Sequence, residues 1–351
     1  MEFGFELGVC QWVERHWPPG RERDEAVLVA RQLGTKHRRW DTIVLECDPE
    51  GLAARARFGE QRLDSDLLGV VRHAPAEWAW YRDALPEPEY PWRYVREAVT
   101  RAADRGIVER RTRGGRVELR RKWPYPDWVE RVVAIENKPD LDASAARSLA
   151  GQLRQDVALA LADEVWVGTR ADQETAALLA DAPVEAGILA VDPDRRGASA
   201  ASVVWQPRRL PANQPGTRIL DRPDGGSHDA SAWRFEYASP GWKADKRLEI
   251  AERAYERGWR AYVESMRPDC RQFELRPTTP VARPFCPAKG RHQTTRECSG
   301  DCPAFEPEPP AWRQGDWPID GGPGAAVKQL LDRQRARHRP DPPDGDEPES
   351  R

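Results

Sequence analysis

Seven consecutive residues, Val132-Val133-Ala134-Ile135-Glu136-Asn137-Lys138, restrict the fold of this chain more than any other stretch. Val132 to Ile135 are apolar and mostly β-branched, and Pro139 follows directly on Lys138, so the run reads as a short buried strand. Residues two apart on a strand project to the same side, so Glu136 and Lys138 leave its end together. A carboxylate beside an ammonium at the mouth of a sheet can hold a divalent cation and orient a water against a phosphate. Asp142 or Ser144 then offers the N-cap of a helix. Leu149, Leu153, Val157 and Leu161 recur every four residues, which turns one face toward the sheet and leaves Gln152 at its border. Asp163-Glu164 closes the helix, and Val165-Trp166-Val167-Gly168 returns as a second strand.

A strand ending in Glu-x-Lys, a helix carrying Gln152-Leu153-Arg154, and a following Ala-Asp-Glu-Val-Trp-Val-Gly strand resemble the PD-(D/E)xK nuclease superfamily. Gly187-Ile188-Leu189-Ala190-Val191-Asp192 and Ser202-Val203-Val204-Trp205 extend the likeness to roughly the first 210 residues, with an insertion. The resemblance implies an α/β fold with a restriction-endonuclease-like mixed β-sheet flanked by helices. It further implies Mg²⁺-dependent cleavage of DNA, with Glu136 a metal ligand, Lys138 stabilising the attacking water or the developing charge, and Gln152 positioning substrate or a metal water.

Two helices are expected at the amino terminus: Phe5 to Trp17, stopped by Pro18-Pro19-Gly20, and Glu22 to Leu33, stopped by Gly34. Arg38 to Asp48 follows as a strand with Asp41 at its mouth. The superfamily often places an acidic residue of the first helix in the metal shell and an Asp on the strand before Glu-x-Lys. By position these are Glu25 and Asp41, although a first-turn carboxylate such as Glu25 also simply complements a helix dipole. Asp127, in Pro126-Asp127, is the rival for the second place. Trp128 to Lys138 holds no turn residue, so at about 3.3 Å per residue Asp127 and Glu136 lie roughly 30 Å apart. A shared cation needs ligand oxygens within about 2–2.6 Å of one centre, so geometry favours Asp41.

The nuclease-like pattern occupies residues 1–48 and 123–210, and residues 49–122 read as an inserted domain. Asp64 to Ala74, Ala76 to Leu85 and Trp92 to Arg105 are expected helices. Ile107 to Arg111 and Arg116 to Arg120 form a hairpin across Gly114-Gly115. Helices followed by a basic ribbon look like a winged helix. That likeness implies duplex DNA contacts through Arg93 and Arg96 on the third helix and Arg113 on the wing, or a winged helix that makes protein contacts only. Arginine dominates: of 55 basic residues seven are Lys, and guanidinium binds phosphate through paired hydrogen bonds. With a net charge of −3 any nucleic-acid contact must be local.

Residues 211–338 read as a linker with at most one strand (Trp233 to Tyr237), a helix from Ala244 to Met266, and a Cys-rich segment. Cys270, Cys286, Cys298 and Cys302 in a polar, Pro-rich region suggest a structural Zn²⁺, with an iron–sulfur cluster or unliganded thiols as alternatives. Ala325 to His338 forms a last helix, and residues 339–351, acidic and Pro-rich, read as a disordered tail. No run is apolar enough to span a bilayer and no signal-peptide pattern opens the chain, which points to a cytoplasmic protein without a membrane partner. Two functions besides cleavage fit the same residues: a nuclease-fold DNA-binding module that has lost catalysis, and a protein-interaction module.

Overall fold

The computed structural model describes residues 2–20, 25–140, 143–171, 182–192, 195, 197–221, 233–259, 270, 272, 274–278, 281–293, 302–304 and 306. The expected helix from Ala325 to His338, the acidic tail and Cys298 lie outside them. In chain order the first elements are α1 (Glu2–His16), β1 (Ala26–Gly34), β2 (Arg39–Cys47), α2 (Pro49–Ala56), α3 (Ser65–His73), β3 (Ala79–Trp80), α4 (Tyr81–Ala84) and α5 (Trp92–Asp104). They are followed by β4 (Val108–Arg113), β5 (Arg116–Arg121), β6 (Val129–Asn137), α6 (Ala143–Leu159), β7 (Glu164–Arg170), β8 (Gly187–Val191) and β9 (Ala201–Trp205). Last come β10 (Gly216–Asp221), β11 (Arg234–Ala238), α7 (Pro240–Arg257), β12 (Glu274–Thr278), β13 (Val281–Cys286) and β14 (Arg291–His292).

The chain is a mixed α/β protein. Its main sheet has six strands in the order β1-β2-β6-β7-β8-β9. β1, β2 and β6 pair antiparallel, β6, β7 and β8 pair parallel, and β9 closes antiparallel on β8. Helices cover both faces. α1 packs over Val27, Val29, Val44, Val133 and Ile135. α6 and α7 pack over Leu28, Ile43, Leu45, Val132 and Ala134. The parallel β6–β7 step requires the crossover that α6 supplies.

The expected helix from Glu22 to Leu33 is instead strand β1. Ala26, Leu28 and Ala30 face α6 and α7 while Val27 and Val29 face α1, so the run is apolar on both sides. Such a run has no period that separates strand from helix. The β1–β2 hairpin turns sharply: the Thr35 N–H donates to the Arg38 carbonyl at 2.7 Å. A Cβ at Gly34 would run into that same carbonyl, so glycine is needed there for close approach.

A second core, of Leu67, Val71, Val95, Val99, Val117 and Leu119, lies between Phe58 and Leu119, whereas Leu52 of α2 packs into the main one. The helix expected over Ala76 to Leu85 is reduced to the single turn α4, preceded by β3, which pairs with β5. This small sheet runs β3-β5-β4, and the β4–β5 turn has both Gly114 (φ 55°) and Gly115 (φ 76°) left-handed. That geometry excludes most other residues. In the carboxyl-terminal part, β10 and β11 make a two-stranded hairpin where one strand was expected, because Gly216–Asp221 supplies a partner to Arg234–Ala238. α7 is capped by the Ser239 side chain and stops at Gly258 (φ 29°), so it starts earlier than the expected Ala244 and ends well before Met266.

A buried ion pair ties the insertion to the main sheet. Arg55 of α2 donates from Nε and Nη2 to Glu252 of α7, both at 2.6 Å, and both side chains are fully buried. Glu252 also accepts from the Leu63 N–H at 2.7 Å and the Tyr125 hydroxyl at 2.6 Å, while Arg55 reaches the carbonyls of Gly59 and Gln61. The Arg55 guanidinium lies 4.2 Å from the Tyr255 ring centroid. Removing one partner leaves a buried charge uncompensated, which typically costs about 3–5 kcal/mol. Glu252→Ala should therefore lower the urea-unfolding free energy by that amount, whereas Arg62→Ala, which removes an exposed ion pair with Glu256, should change it by less than about 1 kcal/mol.

Candidate active site

The β2–β6 ladder pairs Thr42 with Ile135 and Ile43 with Ala134, so the next step sets Asp41 across from Glu136. Residues directly opposite in an antiparallel pair share a face. Asp41 and Glu136 thus meet at the rim where β2 begins and β6 ends. The Asp41 carboxylate accepts from the Asn137 N–H at 2.9 Å and from the Gln32 side-chain amide at 3.0 Å. Lys138 follows β6 directly; its N–H donates to the Gly168 carbonyl at 2.8 Å, continuing the parallel ladder. Asn137 is fully buried and donates to the Thr42 hydroxyl at 3.0 Å. Its Oδ1 lies 2.8 Å from where a Cβ would stand at Gly168, so that glycine lets β6 and β7 close around the amide.

Glu136 is buried and touches a second system. The Arg38 guanidinium forms a fork on Asp156 of α6, Nε to Oδ1 at 2.7 Å and Nη2 to Oδ2 at 2.7 Å. Arg38 Nη2 also donates to Glu136 Oε2 at 2.9 Å. Burial pushes the Glu136 carboxyl up from 4.5 to about 7; Arg38 opposes the shift, and Asp41 and Asp156 add to it. Burial also raises Asp156, against the pull of Arg38. Burial alone would lower the Arg38 pKa, but the two carboxylates outweigh it and hold the guanidinium firmly charged. Gln152 lies one helical turn before Asp156 on the same face of α6, and its buried side-chain oxygen accepts no hydrogen bond.

Of the residues expected to act together, Asp41, Glu136 and Lys138 converge on one end of the sheet, and Gln152 lies on the helix covering that face. Glu25 does not join them. It precedes β1, whose first residue pairs with Cys47, and it sits 3.3 Å from Arg131. At about 3.3 Å per residue the distance from Cys47 back to Asp41 is roughly 20 Å, so Glu25 is at the wrong end. The acidic residue that α1 does bring near is Glu6. It is buried and accepts from Arg31 Nε at 2.9 Å and from Gln32 Nε2 at 3.1 Å, so one amide nitrogen bridges Glu6 and Asp41. Gln32 adopts a left-handed φ of 55°, a strained backbone typical of functional sites. Sequence reasoning missed Glu6, Gln32, Arg38 and Asp156. Glu6 alone had a signal, its place on the first helix. Asp127 is exposed and stands before β6, at the end opposite Glu136.

Among the described residues no group of three or more His, Cys, Asp or Glu side chains comes within reach of one metal ion. Nitrogen donors stand between the carboxylates: the Gln32 amide between Glu6 and Asp41, and the Arg38 guanidinium beside Glu136. Mg²⁺, however, commonly keeps several waters and needs only one or two carboxylates. The facing oxygens of Asp41 and Glu136, with an unpaired amide oxygen on the adjacent helix, are a donor set that fits it. The cysteines differ. Cys270 and Cys286 are buried and Cys302 is half-buried, but these described thiols form no such group, and Cys298 lies outside the described residues.

Residues 28–307 match a family model described as a family of unknown function, DUF5787. The chain belongs to the DUF5787 family. That match takes in Asp41, Glu136, Lys138, Arg38 and Asp156, and leaves Glu6 outside it. No curated protein and no solved structure matches the chain.

A carboxyl whose folded pKa lies above its unfolded value destabilises the folded state as pH rises between the two values. Stability of the metal-free protein should therefore fall between about pH 4.5 and about 7 on account of Glu136. Glu136→Gln should flatten that decline: in urea melts with EDTA, the advantage of the variant should be larger near pH 8 than near pH 5. A difference independent of pH would contradict the assignment.

Proposed function

We propose that this chain is a metal-dependent nuclease that cleaves DNA phosphodiester bonds, with a restriction-endonuclease-like core and a winged-helix-like insertion. The observation that carries the reading is the pairing of Asp41 with Glu136 across β2 and β6, with Lys138 just beyond them. The succession β6, α6 crossover and β7, with β2 beside β6 and α1 on the other face of the sheet, supports this reading.

In this reading Asp41 and Glu136 hold Mg²⁺, with Glu6 in the place first given to Glu25. A bound Mg²⁺ would supply polarisation of the phosphate and a more acidic water. Lys138 places an ammonium where negative charge develops, a contribution commonly worth about a hundredfold or more in rate. Gln152 offers an unpaired side-chain oxygen to substrate or to an ordered water.

The insertion supports the DNA half of the proposal. Arg93 and Arg96 are exposed on α5, and Arg93 lies against the Tyr94 ring at 4.6 Å. Arg113 and Arg116 are exposed and directly opposite at the wing tip. Like charges so placed repel each other, and a phosphate between them relieves that repulsion. Farther down the ribbon two of the cations are matched: Arg111 donates to Glu118 at 2.6 Å, and Arg120 pairs with Glu109.

One observation favours a second reading. Arg38 already occupies one oxygen of Glu136, as in a nuclease fold that binds DNA without cutting it. The two are separated by incubating duplex DNA with the protein and Mg²⁺. The nuclease reading expects Mg²⁺-dependent cleavage that falls at least about a hundredfold in Lys138→Ala. DNA retained in EDTA, no cleavage with Mg²⁺ and no effect of Lys138→Ala would establish the binding module instead. Among the described residues no helix is long and apolar enough to cross a membrane.

A further inference from the structure

The Arg38–Asp156 pair is a charged system at this rim that the proposed chemistry leaves unused. Resting on the nuclease reading, we infer that Arg38 and Asp156 are positioning residues that aim the Glu136 carboxylate at a divalent cation shared with Asp41. Three observations carry this. Arg38 joins three elements at once: it stands directly before β2, forks onto Asp156 of α6 and holds Glu136 of β6. It holds only Oε2 of Glu136, which leaves Oε1 for another partner. Its remaining nitrogen, Nη1, donates to the Arg39 carbonyl at 2.6 Å, so the guanidinium is fixed on every side.

The charges explain why two residues are needed. A lone cation beside Glu136 would orient it but repel a metal. Asp156, 1 % exposed, cancels the guanidinium charge and keeps its geometry. Glu136 therefore meets a neutral hydrogen-bonding pair and retains its own negative charge for the ion. Groups that orient a ligating carboxylate in this way commonly contribute about 10–100-fold to metal affinity.

The test is Mn²⁺ titrated calorimetrically into the full chain without DNA, with helicity checked by circular dichroism. Wild type should bind, and Asp41→Ala should abolish the site. Asp156→Asn keeps the shape and an acceptor oxygen but unbalances Arg38, so its Mn²⁺ affinity should fall tenfold or more. Arg38→Lys keeps the charge but loses the fork, and should show the same loss. If one variant loses its helical signal, the other decides. A pair that merely holds the fold together would lower the melting temperature and leave the affinity of folded protein at the wild-type value; that result in either variant overturns the inference while the nuclease reading stands. Equal Mn²⁺ binding by wild type and Asp41→Ala would instead remove the shared cation site, and with it both the nuclease reading and this inference.

Discussion

The register of β2 against β6 is the constraint from which the rest of the site follows. Side chains alternate between faces with a period of two, so a slip of one residue would exchange every contact the strands make. Here both faces are covered. Ile43, Leu45, Val132 and Ala134 lie under α6 and α7, while Val44, Val133 and Ile135 lie under α1. A slip would push small alanine into the space of isoleucine on one side and the reverse on the other. Close-packed interiors tolerate such exchanges poorly. Asp41 stands opposite Glu136 because the apolar residues between them allow no other pairing. The polar site is thus a consequence of the core, and its precision is inherited from it.

Burial sets the energetic problem that the surrounding charges answer. Two facing carboxylates, Glu136 buried and Asp41 half-buried, are unfavourable without a counter-charge. The protein supplies nitrogen from two directions: the Gln32 amide and Asn137 N–H on Asp41, and the Arg38 guanidinium on Glu136. The same device recurs where the insertion meets the core, in the fully buried Arg55–Glu252 pair. In both places a planar guanidinium with all three nitrogens engaged joins segments far apart in sequence, a role for which lysine's single rotatable ammonium is unsuited. An arginine-rich, lysine-poor composition is therefore spent as much inside this molecule as on its surface.

Much of the architecture was legible in the chain because local rules and tertiary packing agree there. β6 and its Glu-x-Lys end, the amphipathic α6, the Gly114-Gly115 turn and the first helix are all places where period, caps and turn residues point the same way. β1 was not legible as a strand, since its two apolar faces erase the alternation that marks one. Misreading it set Glu25 beside Asp41, whereas Glu25 lies at the opposite end of the sheet. Arg38 and Asp156 were invisible for another reason. They meet across 118 positions of sequence, and no local pattern encodes that meeting. Asp41 was preferred to Asp127 only through the rise per residue of an extended strand, and the β2–β6 register sets it across from Glu136.

The central claim is that one divalent cation can touch both Asp41 and Glu136. The most direct measurement is an anomalous difference map from crystals of the full chain grown with Mn²⁺. The account predicts a single strong peak in contact with a carboxylate oxygen of each residue, Glu136 still hydrogen-bonded to Arg38 through its other oxygen. No peak at this rim under saturating Mn²⁺, or a peak held by one carboxylate with the other turned away, would contradict it.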